Sequence, residues 1–551
     1  MKLAAIRPEM KVAGLMLLVG LVFAICTQHA WEDYWITYRT SRNLATGNGL
    51  VYTPGDRLQC FTSPLGVLLP AGFCWLTGNQ SDALALWLFR LASLAALAGG
   101  MALLFRTLQS MQLRFVSLCL TLALIGLDAK IVDYSTNGME TGLLIFFLAL
   151  TIYGLVVNGP RQWFRLGLGW AGLMWTRPDS FVYIAILALG TLFFLSGGTA
   201  GKSRLAWCRQ FLAAGLLCTV LYLPWFLWAW WYYGSPIPHT IIAKAANNPP
   251  LFLIDLISGL YAYPFQASGS SIPLTFLPAY LSGGWSGGLP IATKLLGLLA
   301  ALAWPVRWLR PQARLFSFAY FLGNYFLTEI IRYYFPWYLP AVALLGYLAI
   351  GLIFNDVLIL ATRWAQPDAL RQWLGWLPKA SLVFAIGLTA GQAVITVCVA
   401  RQMHVQQELI ENGLRRPMGL WLRDHARTAQ DSVLLEPLGY VGFFSGLKML
   451  DFPGLASRKM VEIRKQLGPI RENRAYLELQ PDWVVLRPWE RDMGQYIDRR
   501  GLHKYYELVQ VFDATDKIRA IRWLPGRAYV QIDQTFFIYH RKPDPGPSPS
   551  S

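Results

Sequence analysis

Apolar stretches of roughly twenty residues recur along this chain as far as Ala400 and then stop. Hydrocarbon offers backbone N–H and C=O groups no partners, so a segment crossing it closes its own hydrogen bonds as a helix. Nearly the first three-quarters of the chain is thereby committed to a helical membrane bundle, and the remainder to a water-exposed unit. Composition agrees: 55% of the 551 residues are hydrophobic and 14% charged, with positive mean hydropathy. No small-residue cleavage site closely follows the first stretch, so residues 10–29 are expected to be a retained helix.

The net charge of +17 raises the question of nucleic acid. The basic residues, however, fall largely in short loops between spans, where the cytoplasmic bias of Lys and Arg accounts for them. Membrane lipid and an anionic substrate are therefore expected, and no nucleic acid. Lys2, Arg7 and Lys11 place the N-terminus in the cytoplasm. If the short apolar segment 64–78, bracketed by Pro64 and Gly78, lies at the interface, the later basic groups all fall inside: Arg106/Arg114, Arg161/Arg165, Lys202/Arg204/Arg209, Arg307/Arg310/Arg314 and Arg363/Arg371/Lys379. That arrangement gives about eleven spans, N-terminus in and C-terminus out.

It also gathers the chemically unusual loops on the outer face: 30–63, 128–141, the turn TRPD at 176–179, 232–288 and IRYYFP at 331–336. The tail joins them there. Its pieces VVLRP, YELVQVF and FFIYH alternate as short strands among helical stretches. Three units are expected: a membrane domain over 1–401, an extracytoplasmic α/β domain over 402–540, and a disordered end over 541–551 (KPDPGPSPSS). The seven cysteines all precede residue 399, so the tail holds no disulfide framework or cysteine zinc site. The six histidines have no metal-ligand spacing.

The first outer loop carries the densest signal. Trp31, Tyr34, Trp35 and Tyr38 recur at helical spacing as one aromatic stripe. Glu32, Ile36, Arg39 and Asn43 share another face, and Gly47 and Gly49 supply a stop. The pattern describes a helix in the headgroup region, aromatics at the interface and polar side toward ligand. A plain surface anchor with solvated charges fits it too. Two adjacent acids, Glu32 and Asp33, at the mouth of a span weigh toward function. Other outward signals are Glu140 at the start of a span, Arg177 and Asp179 in TRPD, and His239 and Lys244 behind a rigid Ser-Pro-Ile-Pro kink. Arg332, beside Tyr333 and Tyr334, completes the set. Each has a plain counterpart: an interfacial acid, a turn with a local ion pair, a proline-shaped loop, a snorkelling arginine.

EDYWITYR followed by NLATGNGLVYTPGDRLQCFTSPL resembles the first outer loop of bacterial GT-C glycosyltransferases related to the terminal arabinofuranosyltransferases of mycobacteria. The resemblance continues, in the family's order, through NGMET (137–141), TRPD, YYGSPIPHT…AK (232–244), RYYFP (332–336) and EPLGYVGFFSGLKMLDFPGL (436–455). Glu32 stands where the family usually has the first of two aspartates, Gln59 where a glutamate is common, and His239 where an asparagine is often seen. The resemblance implies a GT-C-like polytopic helical fold in a bacterial inner membrane and a polyprenyl-phosphate monosaccharide donor, with arabinofuranose suggested and other sugars open. The acceptor is left open among polysaccharide, lipopolysaccharide and surface protein.

Glycosyl transfer from such a donor needs a base for the acceptor hydroxyl and positive charge for the departing phosphate. Asp33 is the favoured base, with Glu32 as competitor or partner. Arg39, Arg177, Lys244 and Arg332 are candidates for the phosphate clamp, His239 for donor or acceptor binding, and Glu140 and Asp179 for supporting or sugar-hydroxyl contacts. Segment 64–78 and neighbouring spans are expected to hold the prenyl chain, and the tail to help bind the acceptor. A phosphodiester carries less charge than a nucleotide diphosphate, so no divalent ion is required and no metal site is evident. A flippase for lipid-linked sugars, a transferase of another sugar, and an inactive scaffold are the rival readings; a flippase would show polar residues along its spans and a route to both faces.

Overall fold

The computed structural model describes residues 7–197, 202–246, 252–265, 271–278, 285, 287–332, 335–364, 376–493, 497 and 499–543. The helices of the first half are α1 (Pro8–Thr27), α2 (Glu32–Ala45), α3 (Pro64–Leu76), α4 (Asp82–Ser110), α5 (Phe115–Gly126), α6 (Ala129–Thr136), α7 (Thr141–Val156) and α8 (Gln162–Thr176). They continue as α9 (Phe181–Phe194), α10 (Arg204–Tyr233), α11 (His239–Ala245), α12 (Leu253–Ala262), α13 (Ser271–Thr275), α14 (Gly288–Leu302), α15 (Pro311–Tyr325), α16 (Leu339–Trp364) and α17 (Leu377–Val405).

Among the described residues five helical runs are long and apolar enough to cross a membrane on their own, and α5 with α6, bent by 46°, makes a sixth. Five shorter apolar helices of 10–17 residues accompany them, α3 included. At ~1.5 Å per residue the 13 residues of α3 reach only about 20 Å, short of a crossing. The chain is a multi-pass membrane protein. Helix α10 shows the lipid-facing pattern most openly, with Leu205, Leu212, Leu216, Val220 and Trp231 all more than 60% exposed; on a water-soluble surface such a run would be an aggregation site. Interior helices are the reverse: Ala341 to Leu345 in α16 are fully buried against α5, α14 and α15.

Segment 128–141, expected as an outer loop, is instead a buried helix. Asp128 caps α6 by accepting the Lys130 and Ile131 N–H groups at 2.9 and 3.0 Å, and every residue of α6 is buried. Polar residues such as Lys130, Asp133 and Thr136 read as surface in a sequence, but here they are satisfied inside: Asp133 by His29 at 3.0 Å and Lys130 by the Leu277 carbonyl at 2.6 Å.

The last membrane helix does not end at residue 402. Lys379–His425 is helical throughout, passing through a π-helical stretch, Gln406–Arg415, into α18 (Arg416–His425). The tail then folds as an α/β unit of five strands: β1 (Ser432–Leu435), β2 (Lys448–Asp451), β3 (Trp483–Leu486), β4 (Tyr506–Asp513) and β5 (Thr535–Arg541). Their order is β2-β1-β3-β5-β4; β1 runs parallel to β2 and β3, and β5 antiparallel to β3 and β4. The last three strands are those the sequence pattern marks. β1 and β2, four residues each, are not among those the pattern marks. Between them lies α19 (Leu438–Ser445). Residues 544–551, the proline-rich end, lie outside the described residues, as do the stretches 247–251, 266–270, 279–284 and 286 of segment 232–288.

Candidate active site

The aromatic stripe forms the helix its spacing demands, α2, and ends where Gly47 and Gly49 take φ of 83° and 88°. What covers the stripe is not lipid. Tyr34, Trp35 and Tyr38 are buried, and the Trp35 ring sits 5.3, 4.7 and 5.1 Å from Tyr440, Phe443 and Phe444 of α19. The apolar face of α2 is thus the seat of the tail domain, correcting the expectation of a headgroup helix. Arg39 serves the same joint. It is buried, donates to the carbonyls of Gly442 (2.7 Å), Gly446 (3.0 Å) and Leu447 (3.1 Å), and stacks 4.3 Å over Tyr52. Arg39 thus clamps α2 to the tail and lines neither of the cavities that meet at Arg177.

Asp33, one residue on from Glu32, has surroundings of its own. It lines a polar cavity of about 60 Å³ together with Glu140, Arg177, Thr240, Lys244 and Tyr338. Each comes from a helix end: Asp33 from the first turn of α2, Glu140 from the cap of α7, Arg177 from the turn after α8, Lys244 from the last turn of α11. Arg177 is buried and held from two sides, with Nη1 3.2 Å from Glu140 Oε1, and Nε and Nη2 each 3.1 Å from the two Asp179 oxygens. Its guanidinium lies 4.5 Å over the Tyr338 ring. The Lys244 ammonium stands 5.0 Å from the Phe335 ring and 5.7 Å from Trp337; among the described residues no carboxylate pairs with it at contact distance. The Thr240 hydroxyl is buried without a hydrogen-bond partner among the described residues.

A second cavity of about 440 Å³ adjoins the first and is walled by Phe181, Trp225, Phe226, Ile237, Ile241 and Ile330. The two share Thr62, Arg177, Lys244 and Tyr338. Pro236 and Pro238 fix its lip, and Phe181 and Ile237 at its mouth are more than half exposed. An apolar groove therefore opens onto the protein's lipid-compatible surface and ends at two cations. Across those cations sit two carboxylates.

The electrostatics separate the adjacent acids. Burial pushes the Asp33 carboxyl up to about 6; Lys244 opposes the rise, Glu436 and Glu140 add to it, and a hydrogen bond with the Glu32 side chain lowers it. Burial also pushes Glu32 well up, against the pull of Arg415. Glu32 lines neither cavity; its Oε1 accepts the Gly439 N–H at the start of α19. So Glu32 joins the tail to the helix, and Asp33 is the acid facing the cavity. Burial likewise raises Glu140, opposed by Arg177.

Two further candidates stand apart from the cavities, as Glu32 and Arg39 do. His239 is buried with Nε2 3.0 Å from the Gly454 carbonyl, and burial pushes its imidazole down; it ties α11 to the tail. Arg332 has a left-handed backbone (φ 60°) and donates from Nε to the Glu329 carbonyl at 3.2 Å; its neighbours Tyr333 and Tyr334 lie outside the described residues. Asp451 is structural: fully buried, it accepts the Leu455 and Ala456 N–H groups at 2.5 and 2.8 Å. The turn so held brings Leu455 to the polar cavity. Thr240, Glu436 and Leu455 lie within the motifs quoted above but are not singled out there, and Tyr338 lies outside them; only the assembled tail brings Glu436 and Leu455 to Asp33. Among the described residues no group of three or more His, Cys, Asp or Glu is placed to hold a metal ion.

This architecture is the GT-C fold. The chain aligns with the crystal structure of ArnT from Cupriavidus metallidurans bound to undecaprenyl phosphate, with a TM-score of 0.51 at 12% identity and 98% of each chain covered. In sequence it is similar to the terminal β-(1→2)-arabinofuranosyltransferases of Corynebacterium glutamicum (27% identical over 244 residues, 39% of this chain and 33% of the relative) and Mycobacterium tuberculosis (28% over 258 residues, 42% and 38%). The matched stretches thus span little more than a third of those relatives' lengths. Residues 401–539 match a domain of unknown function, DUF8728.

Proposed function

We propose that this chain is an inverting membrane glycosyltransferase that moves a sugar, arabinofuranose, from a polyprenyl-phosphate donor to a cell-envelope glycan at the outer face of the bacterial inner membrane. The observation that carries this reading is the meeting of an apolar groove and an acidic cavity at Arg177 and Lys244. The prenyl chain lies in the groove, the phosphate at the two cations, and the sugar between them and Asp33. Asp33 accepts the proton of the acceptor hydroxyl as that oxygen bonds to the anomeric carbon from the face opposite the phosphate. The bond from that carbon to the phosphate oxygen breaks, and the phosphate gains about one negative charge. Fixed cations favour this charged state over the ground state. Glu140 and Asp179 hold Arg177, and Glu140 offers its other oxygen to a sugar hydroxyl. Arg177 and Lys244 supply the positive charge, so a divalent ion is not needed. The similarity to arabinofuranosyltransferases supports the sugar, and the distribution of basic loops supports the topology, N-terminus inside and tail outside.

The test is sugar transfer by purified wild type and Asp33→Asn from synthetic prenyl-phosphate sugars, arabinofuranose among them, with and without chelator. Turnover with the arabinofuranose donor, lost in Asp33→Asn with donor binding and folding retained and unaffected by chelator, is expected. Wild-type donor binding without turnover toward any acceptor would overturn the reading in favour of a lipid-sugar carrier.

A further inference from the structure

The tail carries a cavity that the transfer mechanism does not use. It measures about 250 Å³ and is lined by Tyr476, Leu477, Gln480, Tyr505, Tyr506 and Arg541. Sheet register places it. Tyr506 at the start of β4 pairs with Arg541 at the end of β5, and the Arg541 N–H donates to the Asp482 carbonyl, ahead of β3, at 2.9 Å. Glu436, whose charge reaches Asp33, leaves the opposite end of the sheet and pairs with Arg487 beyond β3 at 2.7 Å. The four residues of β3 separate the two ends by about 13 Å, so the cavity faces away from the catalytic centre.

We infer that this cavity is a saccharide-binding site that holds a distal unit of a polymeric glycan acceptor. The inference rests on the glycosyltransferase reading. The floor is aromatic and rigid: Tyr476 and Tyr506 are buried with ring centroids 6.2 Å apart, and the Tyr506 hydroxyl is fixed on the Pro481 carbonyl at 3.0 Å. On the rim, Tyr505 keeps 39% of its surface in solvent, with the Lys504 ammonium 5.0 Å from its ring. Gln480, exposed and held in a left-handed conformation (φ 48°), supplies a planar amide, and beside it lies the planar Arg541 guanidinium, whose Nη1 donates to the Gln480 carbonyl at 3.5 Å. A sugar ring has an apolar C–H face, suited to the negative face of a tyrosine, and an edge of hydroxyls, suited to bidentate amide and guanidinium donors. The cavity lies just below the ~300–1,000 Å³ of sites for drug-sized ligands, the scale of one or two sugar rings. Among the described residues its lining includes no carboxylate, so neither a cation nor a basic peptide suits it. Because the tail is continuous with the last membrane helix, a glycan held here is tethered at a fixed span from Asp33. Tethering raises the local concentration of its growing end.

The test titrates full-length protein in detergent with two probes, a linear arabinofuranosyl hexasaccharide and a mannosyl hexasaccharide, by calorimetry. Wild type is expected to bind at least one, Tyr505→Ala and Arg541→Ala to bind it at least tenfold more weakly with unchanged thermal transitions, and Asp33→Asn to bind it as wild type does. In turnover, the two tail variants are expected to raise KM for a long acceptor and leave transfer to a disaccharide acceptor unchanged. Binding that persists in a protein with no turnover would uphold this site while overturning the transferase reading. Failure of wild type to bind either probe, or equal binding by both tail variants, would overturn the inference.

Discussion

Gly439 offers a sharp test of whether the tail positions the catalytic carboxylate. It opens α19 where that helix meets α2, and a Cβ built there would lie 2.0 Å from the Glu32 carbonyl oxygen and 2.7 Å from Oε1. Real contacts of this kind are not closer than 3.0 Å, so Gly439→Ala must displace the two helices by about 1 Å. The atom struck is backbone, one residue from Asp33, and cannot rotate aside. Overpacking of this kind costs about 1–3 kcal/mol, partly offset by the better helix propensity of alanine, up to ~1 kcal/mol. A 1 Å misplacement of a reacting group can reduce a rate by about 10²-fold. Gly439→Ala is therefore expected to fold, to melt a few degrees lower, to bind prenyl-phosphate donor as wild type does, and to lose one to two orders of magnitude in kcat. The assay is radiolabelled sugar transfer at saturating donor, with donor binding measured in parallel. A kcat within twofold of wild type would refute the reasoning, since it would mean that the α2–α19 joint can shift without moving Asp33.

Arg39→Ala should act on stability instead: three tail carbonyls lose their donor, a loss of at least ~2 kcal/mol, read as a lowered thermal midpoint with donor affinity retained; weakened donor binding in a still-folded variant would return Arg39 to the phosphate site. Lys244→Ala removes a charged contact worth about 1.5–3 kcal/mol and should weaken donor binding about 10- to 100-fold, measured by titration with the prenyl phosphate alone. Asp33 must be ionised to act, and its carboxyl is raised to about 6, so kcat/KM should fall about tenfold per pH unit below 6 and level off above it. A profile flat from pH 4.5 to 8 would remove Asp33 as base.

Much of the site was legible because its parts are local patterns. The 3.6-residue spacing of Tyr34, Trp35 and Tyr38 defines α2, the pair of adjacent acids marks a turn at a span's mouth, and TRPD sits where two helices meet, as read; HTIIAK, read within a proline-shaped loop, is helix α11. What periodicity cannot report is the identity of the covering surface. A stripe of aromatics looks the same whether lipid or Phe443 and Phe444 lie against it, and that ambiguity also misplaced Arg39, whose partners are carbonyls some four hundred residues away. Segment 128–141 was misread for a related reason: Asp128, Lys130 and Asp133 look solvent-seeking until their buried partners are known. Glu436 reaches Asp33 only through tertiary packing of the tail, which no window of sequence contains.

The sharing of Arg177 and Lys244 between two cavities has a kinetic side. On the proposed reading each turnover leaves two products of opposite solubility, a spent lipid carrier and a lengthened glycan. The carrier can withdraw sideways past Phe181 and Ile237 into the bilayer, and the glycan outward past the tail. Because the exits do not overlap, the next loaded lipid can enter while a tethered glycan is still held, so that several sugars could be added in one encounter without the polymer being released.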